Sequence, residues 1–287
     1  EIYARVGEVA DISPAPEPAS GNMYFQYKGD IYNIDHSYGV VERFRKLGAQ
    51  SLENKWDIVE IPSMEIDSDL FSYADEDSGV LYLCEGSKLA LLNLEYMDSG
   101  WQIDDIDGLS CSDYVRGMTV NNNYLIILSE SILQFVDLES RTLAMVMDYS
   151  EEMQEDGVKF EKLIRVNGDL LVVRSQPSED NGYRSGELLI ISLEELMDDA
   201  NLGHKSSFSI FTLLPDDVCP DSGFSAIANK GNNYLYYRGR TVVEGGCLSG
   251  VPVFKGFSLI DEVWSGYSIE FYDTAINRSH FNMFNVG

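Results

Sequence analysis

The chain has 287 residues, 44% of them hydrophobic, and a formal charge of -28 from 48 acidic and 20 basic side chains. That apolar content supports a core and excludes wholesale disorder, and no apolar run approaches the roughly 18 residues of a membrane-spanning helix. The charge argues against nucleic acid or an anionic membrane as the main partner and favours a basic protein segment, a cation or plain solubility.

Residues 1 to 10 alternate loosely, with Ile2, Ala4, Val6 and Val9 on offer as a strand. The chain opens at Glu1 and reads as a processed or trimmed product. Ser13-Pro14-Ala15-Pro16-Glu17-Pro18 cannot sit inside a sheet, because proline lacks the ladder donor, so residues 1–21 read as a terminal strand and linker. From Asn22 a strand–turn–strand pattern recurs. Met23 to Tyr27 turns into Ile31 to Ile34, Leu70 to Tyr73 into Val80 to Leu83, and Met118 to Val120 into Tyr124 to Ile127. Leu163 to Val166 turns into Asp169 to Val172, and Phe224 to Ala228 into Tyr234 to Tyr237. Asn and Gly in these turns supply the positive φ that tight hairpins need. Third strands are predicted at Lys88 to Leu94, Ile132 to Leu138, Glu187 to Leu193 and Val251 to Leu259. Fourth strands are predicted at Trp56 to Ile61, Trp101 to Ile106, Leu143 to Met147, Phe208 to Leu213 and Tyr267 to Tyr272. In the first unit, Met23 to Asn33 also fits as second and third strands, with residues 2–9 as the first.

Trp56-Asp57-Ile58-Val59-Glu60-Ile61 returns 45 residues later as Trp101-Gln102-Ile103-Asp104-Asp105-Ile106, both of the form Trp-x-Ile-x-x-Ile. A period near that length in an all-β pattern is one four-stranded propeller blade. The predicted fold is all-β: one β-propeller of five four-stranded blades, with six as the alternative. Residues 22–273 form the blades and 274–287 a closing segment. Residues 2–9 or Phe281 to Val286 should pair with the opposite end of the chain, which removes an open edge. Trp56 and Trp101 should occupy equivalent, largely buried places in consecutive blades. Two stretches break the pattern: Ser192-Leu193-Glu194-Glu195 opens a capped helix running to Gly203, and Ser150 to Asp156 reads as a turn of acidic helix.

The repeat resembles the kelch and WD40 propeller families over about residues 22–273. It departs from both, since Gly245-Gly246 is the one pair resembling the kelch Gly-Gly and Trp56-Asp57 the sole Trp-Asp. Leu163 to Arg174 also resembles a segment of the plant F-box-associated propeller family. The resemblance implies a propeller fold.

Chemical motifs are sparse. Cys84, Cys111, Cys219 and Cys247 form no CxxC pair, which excludes zinc-ligand spacing; the even count allows two disulfides in a secreted protein or four ordinary buried thiols, and the apolar surroundings of Cys84 favour the buried thiol. Asn277-Arg278-Ser279 is a formal glycosylation sequon. His36, His204 and His280 fall in different units, and Asp75-Glu76-Asp77-Ser78-Gly79 resembles half a calcium loop but fits a hairpin turn better. No metal site or cofactor is read from the sequence. Asp69, Asp113, Glu161 and Asp221 each precede or open a first strand and would ring the channel mouth of a propeller, where a glycosidase or lectin could use paired carboxylates. The favoured reading is a non-enzymatic interaction platform. From Trp56 to Ser140 there are 18 acidic residues against Lys88 and Arg116 alone. Asp67, Asp69, Asp75, Asp77, Asp104, Asp105 and Asp107 lie in turns that would share one acidic face for a basic segment of a partner.

Overall fold

The computed structural model describes residues 23–28, 30–35, 39–45, 55–61, 71–75, 77–111, 115–153, 158–166, 168–177, 184–213, 218–229, 232–241, 252–265 and 269–270. These form antiparallel sheets taken up one after another along the chain. The first holds β1 (Met23–Tyr27), β2 (Asp30–Asp35), β3 (Val40–Arg45) and β4 (Lys55–Glu60), paired in that order. The second holds β5 (Phe71–Asp75), β6 (Val80–Glu85), β7 (Lys88–Asn93) and β8 (Gln102–Asp105). The third holds β9 (Gly117–Asn121), β10 (Tyr124–Leu128), β11 (Ile132–Asp137) and β12 (Thr142–Asp148). The fourth holds β13 (Lys159–Val166), β14 (Asp169–Pro177), β15 (Arg184–Ser192) and β16 (Ser209–Leu213). The fifth holds β17 (Val218–Asn229), β18 (Asn232–Thr241), β19 (Pro252–Ser258) and two short pieces, β20 (Val263–Trp264) and β21 (Ile269–Glu270), both paired with β19.

The second strand of each unit explains why the sheets stack face to face. In β6, Leu81 and Leu83 enter the core shared with the first sheet, while Tyr82 and Cys84 enter the core shared with the third. In β10, Leu125 and Ile127 face the second sheet, and Ile126 and Leu128 face the fourth. In β14, Leu170 and Val172 face the third sheet, and Leu171 and Val173 the core shared with the fifth. Successive side chains of a strand point to opposite faces, so a strand buried on both faces must be apolar throughout. Among the described residues the core is therefore a series of four clusters between neighbouring sheets. Outer strands break the rule: β12 alternates exposed with partly or fully buried positions, β8 is exposed at all but Asp104, and Ile103 and Val146 are open to solvent.

Turn chemistry follows the residues. Gly79 takes φ +69° between β5 and β6, and Asn122 takes φ +51° between β9 and β10. The first hairpin places Lys28, not a residue that favours it, at φ +49°. Gly117 serves closeness instead: a Cβ there would lie 2.6 Å from the Leu163 Cβ and 3.1 Å from the Leu163 backbone, so β9 and β13 approach where only a hydrogen fits. The helix α1 (Leu193–Leu202) starts where Ser192 Oγ accepts the Glu195 N–H and stops at left-handed Gly203. Leu193 and Leu196 pin it to the core between the third and fourth sheets.

Several expectations need amendment. Within the described residues Met23–Tyr27 is the first strand of its sheet, and residues 2–9 lie outside them, as do Phe281 to Val286. Residues 150–153 form a hydrogen-bonded turn, in which the Met153 N–H reaches the Tyr149 carbonyl at 3.2 Å, and 154–156 of the expected acidic helical turn lie outside the described residues. The fourth strand of the fifth unit is split and begins earlier, at Val263. Cys84 is not a free thiol: it is disulfide-bonded to Cys111, with Cα atoms 5.7 Å apart and both residues fully buried. An apolar neighbourhood signals burial but not the partner, which arrives from the connector after β8. Trp101 packs partly buried against the core between the first two sheets, and the Trp56 side chain lies outside the described residues.

Candidate functional site

Each sheet has two ends. The upper end is taken here as the one where the innermost strands β5, β9 and β13 begin. In the second sheet, Asp75 pairs with Val80, which pairs with Asn93, and these lie at the lower end. Glu85 pairs with Lys88, which pairs with Asp105, at the upper end. Five residue steps separate the two ends, about 17 Å at strand rise. The expected single acidic face is therefore split: Asp75 and Asp77 belong to the lower end, Asp105 and Asp107 to the upper. The sequence placed all of these in turns, but an antiparallel sheet sends successive turns to opposite ends.

The individual carboxylates also differ. Asp75 is buried at 6% exposure, accepting from Ser78 Oγ while its carbonyl takes the Gly79 N–H at 2.9 Å. It closes a turn and is withdrawn from any partner. Its charge, after burial itself, helps push the Tyr82 hydroxyl up to about 12. Asp77 is exposed. Asp104 is half-buried and lies 3.5 Å from Arg141 Nη1. Asp105 is exposed and accepts from Ser87 Oγ at 2.5 Å, and Asp107 is exposed just beyond it. Asp67 and Asp69 lie outside the described residues.

The connector carrying Asp107 is fixed at three points. Gly86 and Cys111 exchange two backbone hydrogen bonds at 2.7 Å, and the disulfide ties Cys111 to β6. Buried Gln134 of the third sheet accepts the Ser110 N–H at 3.0 Å and donates to the Ser110 carbonyl at 2.8 Å. A buried amide with donor and acceptor both engaged holds a specific backbone position. The upper end of the second sheet is thus anchored to the third.

Of the four carboxylates proposed to ring a channel mouth, Asp69 and Asp113 lie outside the described residues, as does the side chain of Asp221 on β17. Glu161, on β13, accepts from Ser175 Oγ at 2.7 Å and lies 3.8 Å from Lys159 Nζ. It joins a mixed-charge network at the upper seam of the third and fourth sheets. There Glu130 takes both Arg116 and Lys159, the latter at 2.9 Å. Burial pushes the Glu130 carboxyl up, but hydrogen bonds from Lys159 and Arg116, aided by their charges, outweigh it and hold it below the usual range. The network acts as a clasp between sheets. Sequence reading missed Lys162, partly accessible yet crowded by protein, whose ammonium pKa that desolvation lowers. No group of metal-ligating side chains gathers among the described residues, and no helix there is long and apolar enough to cross a membrane.

A repeated contact closes the outer rim. Trp101 Nε1 donates to the carbonyl of Glu60, the last residue of β4, at 2.9 Å. Trp264 Nε1 donates to the carbonyl of Leu213, the last residue of β16, also at 2.9 Å. Lys205 Nζ does the same for Asp148, the last residue of β12, at 3.1 Å, while pairing with Glu152. Each donor comes from the following sheet and satisfies an outer-strand carbonyl at its free end.

The sequence matches no family model and no curated protein. Among solved structures, the Pan2 WD40 domain of Neurospora crassa aligns over 88% of this chain and 66% of its own, with TM-score 0.50 and 7% identity. The WD40 domain of SCAP from fission yeast aligns over 88% and 65%, with TM-score 0.37 and 10% identity. The N-terminal domain of Nup159 aligns over 86% and 59%, with TM-score 0.41 and 16% identity. The chain spans less than two thirds of each of these neighbours. At such identities a likeness speaks for the fold alone. The Pan2 likeness, together with the stacked four-stranded sheets, gives this chain a WD40-like β-propeller fold.

Proposed function

We propose that the chain is a non-enzymatic protein-interaction platform, a propeller of five blades closed into a ring by its terminal segments, which binds a basic segment of a protein partner. The docking surface is assigned to the upper end of the second blade, at Asp104, Asp105 and Asp107, with Asp67 and Asp69, which precede β5 in the sequence. Asp77 belongs to a separate, lower surface. The kelch and F-box-associated parallels stay at the level of sequence pattern.

The observation that carries the proposal is uncompensated charge at Asp105 and Asp107, Asp104 being already paired with Arg141. The Trp56 to Ser140 window holds 18 acidic residues and two basic ones, and Arg116 is already paired with Glu130. Asp105 and Asp107 are exposed and have no ion-pair partner among the described residues. Such a field draws in cationic segments and raises their encounter rate. The buried disulfide supports assignment to an oxidising compartment, where such bonds form and persist.

Affinity capture from the source organism, with the wild type and the Asp105→Lys/Asp107→Lys variant side by side, tests the reading. Quantitative mass spectrometry is expected to find a protein with a basic segment on the wild type and lose it on the variant. Equal recovery on both would remove this end of the blade from the account.

A further inference from the structure

We infer that β8 is itself the docking strand: the partner's basic segment lies extended along its free edge, adding a fifth strand to the second sheet. This rests on the proposed platform function and makes it specific.

Three observations converge on β8. It is the terminal strand of its sheet, and no strand among the described residues pairs with its outer side. An unpaired edge presents a row of backbone donors and acceptors that an incoming strand can complete. Its ladder to β7 runs from Lys88↔Asp105 to Leu91↔Gln102 without a register shift, whereas β12 and β16 are each interrupted by a bulge. A regular edge is the better template.

The second observation is the rim contact just described. The last carbonyls of β4, β12 and β16 are each taken by a donor from the next sheet. At the end of β8 the pattern lapses: among the described residues no side chain from the third sheet caps the Asp105 carbonyl. Arg141, the cation reaching across this seam, bonds the Gln102 side chain at 3.4 Å and pairs with Asp104. The position that Trp101, Lys205 and Trp264 fill at the other seams is left to an outside donor.

Charge then selects the occupant. Asp104, Asp105 and Asp107 line or follow the strand, and Ile103, 48% exposed, precedes them on it. A second copy of this chain would bring like carboxylates together, which edge strands use to prevent self-pairing. Ile103 and Asp105 share one face of β8, so a strand alternating lysine or arginine with small apolar residues can set its cations on that face, the charge meeting Asp105 and the alkyl stem covering Ile103. Arg141 against Asp104 shows that a guanidinium fits beside this strand.

The probe is a short synthetic peptide alternating lysine with valine, labelled for fluorescence anisotropy at low salt. Its controls are the same peptide N-methylated at alternate residues and a glutamate–valine counterpart. The lysine peptide is expected to bind, the glutamate peptide to fail, and N-methylation to weaken binding about tenfold or more, since it removes backbone donors from the new ladder. Hydrogen exchange should slow at Gln102 to Asp105. Neutralisation by Asp105→Asn/Asp107→Asn should weaken binding while leaving the melting transition in place. If the lysine peptide binds in a charge-dependent way but N-methylation changes nothing, or protection appears elsewhere, strand addition is overturned and the acidic platform stands. If the lysine peptide does not bind, or binds the neutralised variant equally well, both fall. Sedimentation that shows self-association abolished by Ile103→Lys would assign the edge to a second copy and also overturn the inference.

Discussion

Replacing Cys84 and Cys111 together by alanine should loosen the seam between the second and third blades and lower global stability. The bond joins residues 27 apart in sequence. For a loop of that size the chain-entropy relation gives about 3.6 kcal/mol at 25 °C, all of it acting on the unfolded chain. Both residues are fully buried, so removing two sulfur atoms also leaves a small void, and the double variant should lose roughly 4 to 5 kcal/mol. Alanine is preferred to serine because the site has no prepared partner for a buried hydroxyl. Urea denaturation of the oxidised wild type and the double variant supplies the comparison, with the wild type under a dithiol as a control that keeps the sulfur atoms. Hydrogen exchange supplies the location: the Gly86 and Cys111 amides, which bond to each other's carbonyls at 2.7 Å, should exchange faster without the cross-link. An unchanged midpoint in the double variant, with those two amides still protected, would refute the argument and leave the connector held by Gln134 and the Gly86–residue 111 backbone pair.

Other predictions use single contacts. Gly117→Ala should cost about 1 to 3 kcal/mol in urea melts, because the new Cβ would sit 2.6 Å from the Leu163 Cβ and β9 would have to move; a neutral result would mean β9 and β13 are farther apart than described. Trp101→Phe keeps most of the packing but removes the bond to the Glu60 carbonyl, and should cost about 1 kcal/mol by the same assay. Tyr82 titrates near 12, burial being the main cause and Asp75 the next, against 10.0 for a free tyrosine. Its neutral form is favoured by folding, so its contribution is complete below pH 10 and lost as pH rises towards 12. Tyr82→Phe should flatten the alkaline decline of stability in that window, measured by circular dichroism against pH, and an identical decline would contradict the burial argument.

Much of the architecture was legible because propeller strands carry two independent signals. Residues such as Leu81 to Cys84 and Leu125 to Leu128 are apolar without a break since both faces of the strand are buried, and Asn122 and Gly79 mark the hairpins with their positive φ. The Ser192 cap and Gly203 stop gave the helix for the same local reason. What escaped depends on distance in sequence. Cys84 finds Cys111 through a connector whose path is set by Gln134 and Gly86, neither of which carries a pattern. Asp75 and Asp105 look alike in the sequence, yet alternating strand direction puts them at opposite ends of one sheet, and only Asp75 is drawn inward by Ser78. The carbonyl caps from Trp101, Lys205 and Trp264 use different residue types and so leave no repeat to read.

The association rate of the captured partner with the wild type and with Asp105→Lys/Asp107→Lys, followed by stopped flow at low and high salt, tests the proposed platform most directly. Exposed charges act over about 8 Å at physiological ionic strength, so the attraction should shorten as salt rises. The expected result is a wild-type rate that falls steeply with salt, a variant rate that is slower at low salt and nearly salt-independent, and dissociation rates that change less than association rates. Equal rates for both proteins, unmoved by salt, would contradict the account and leave the acidity of this chain to solubility.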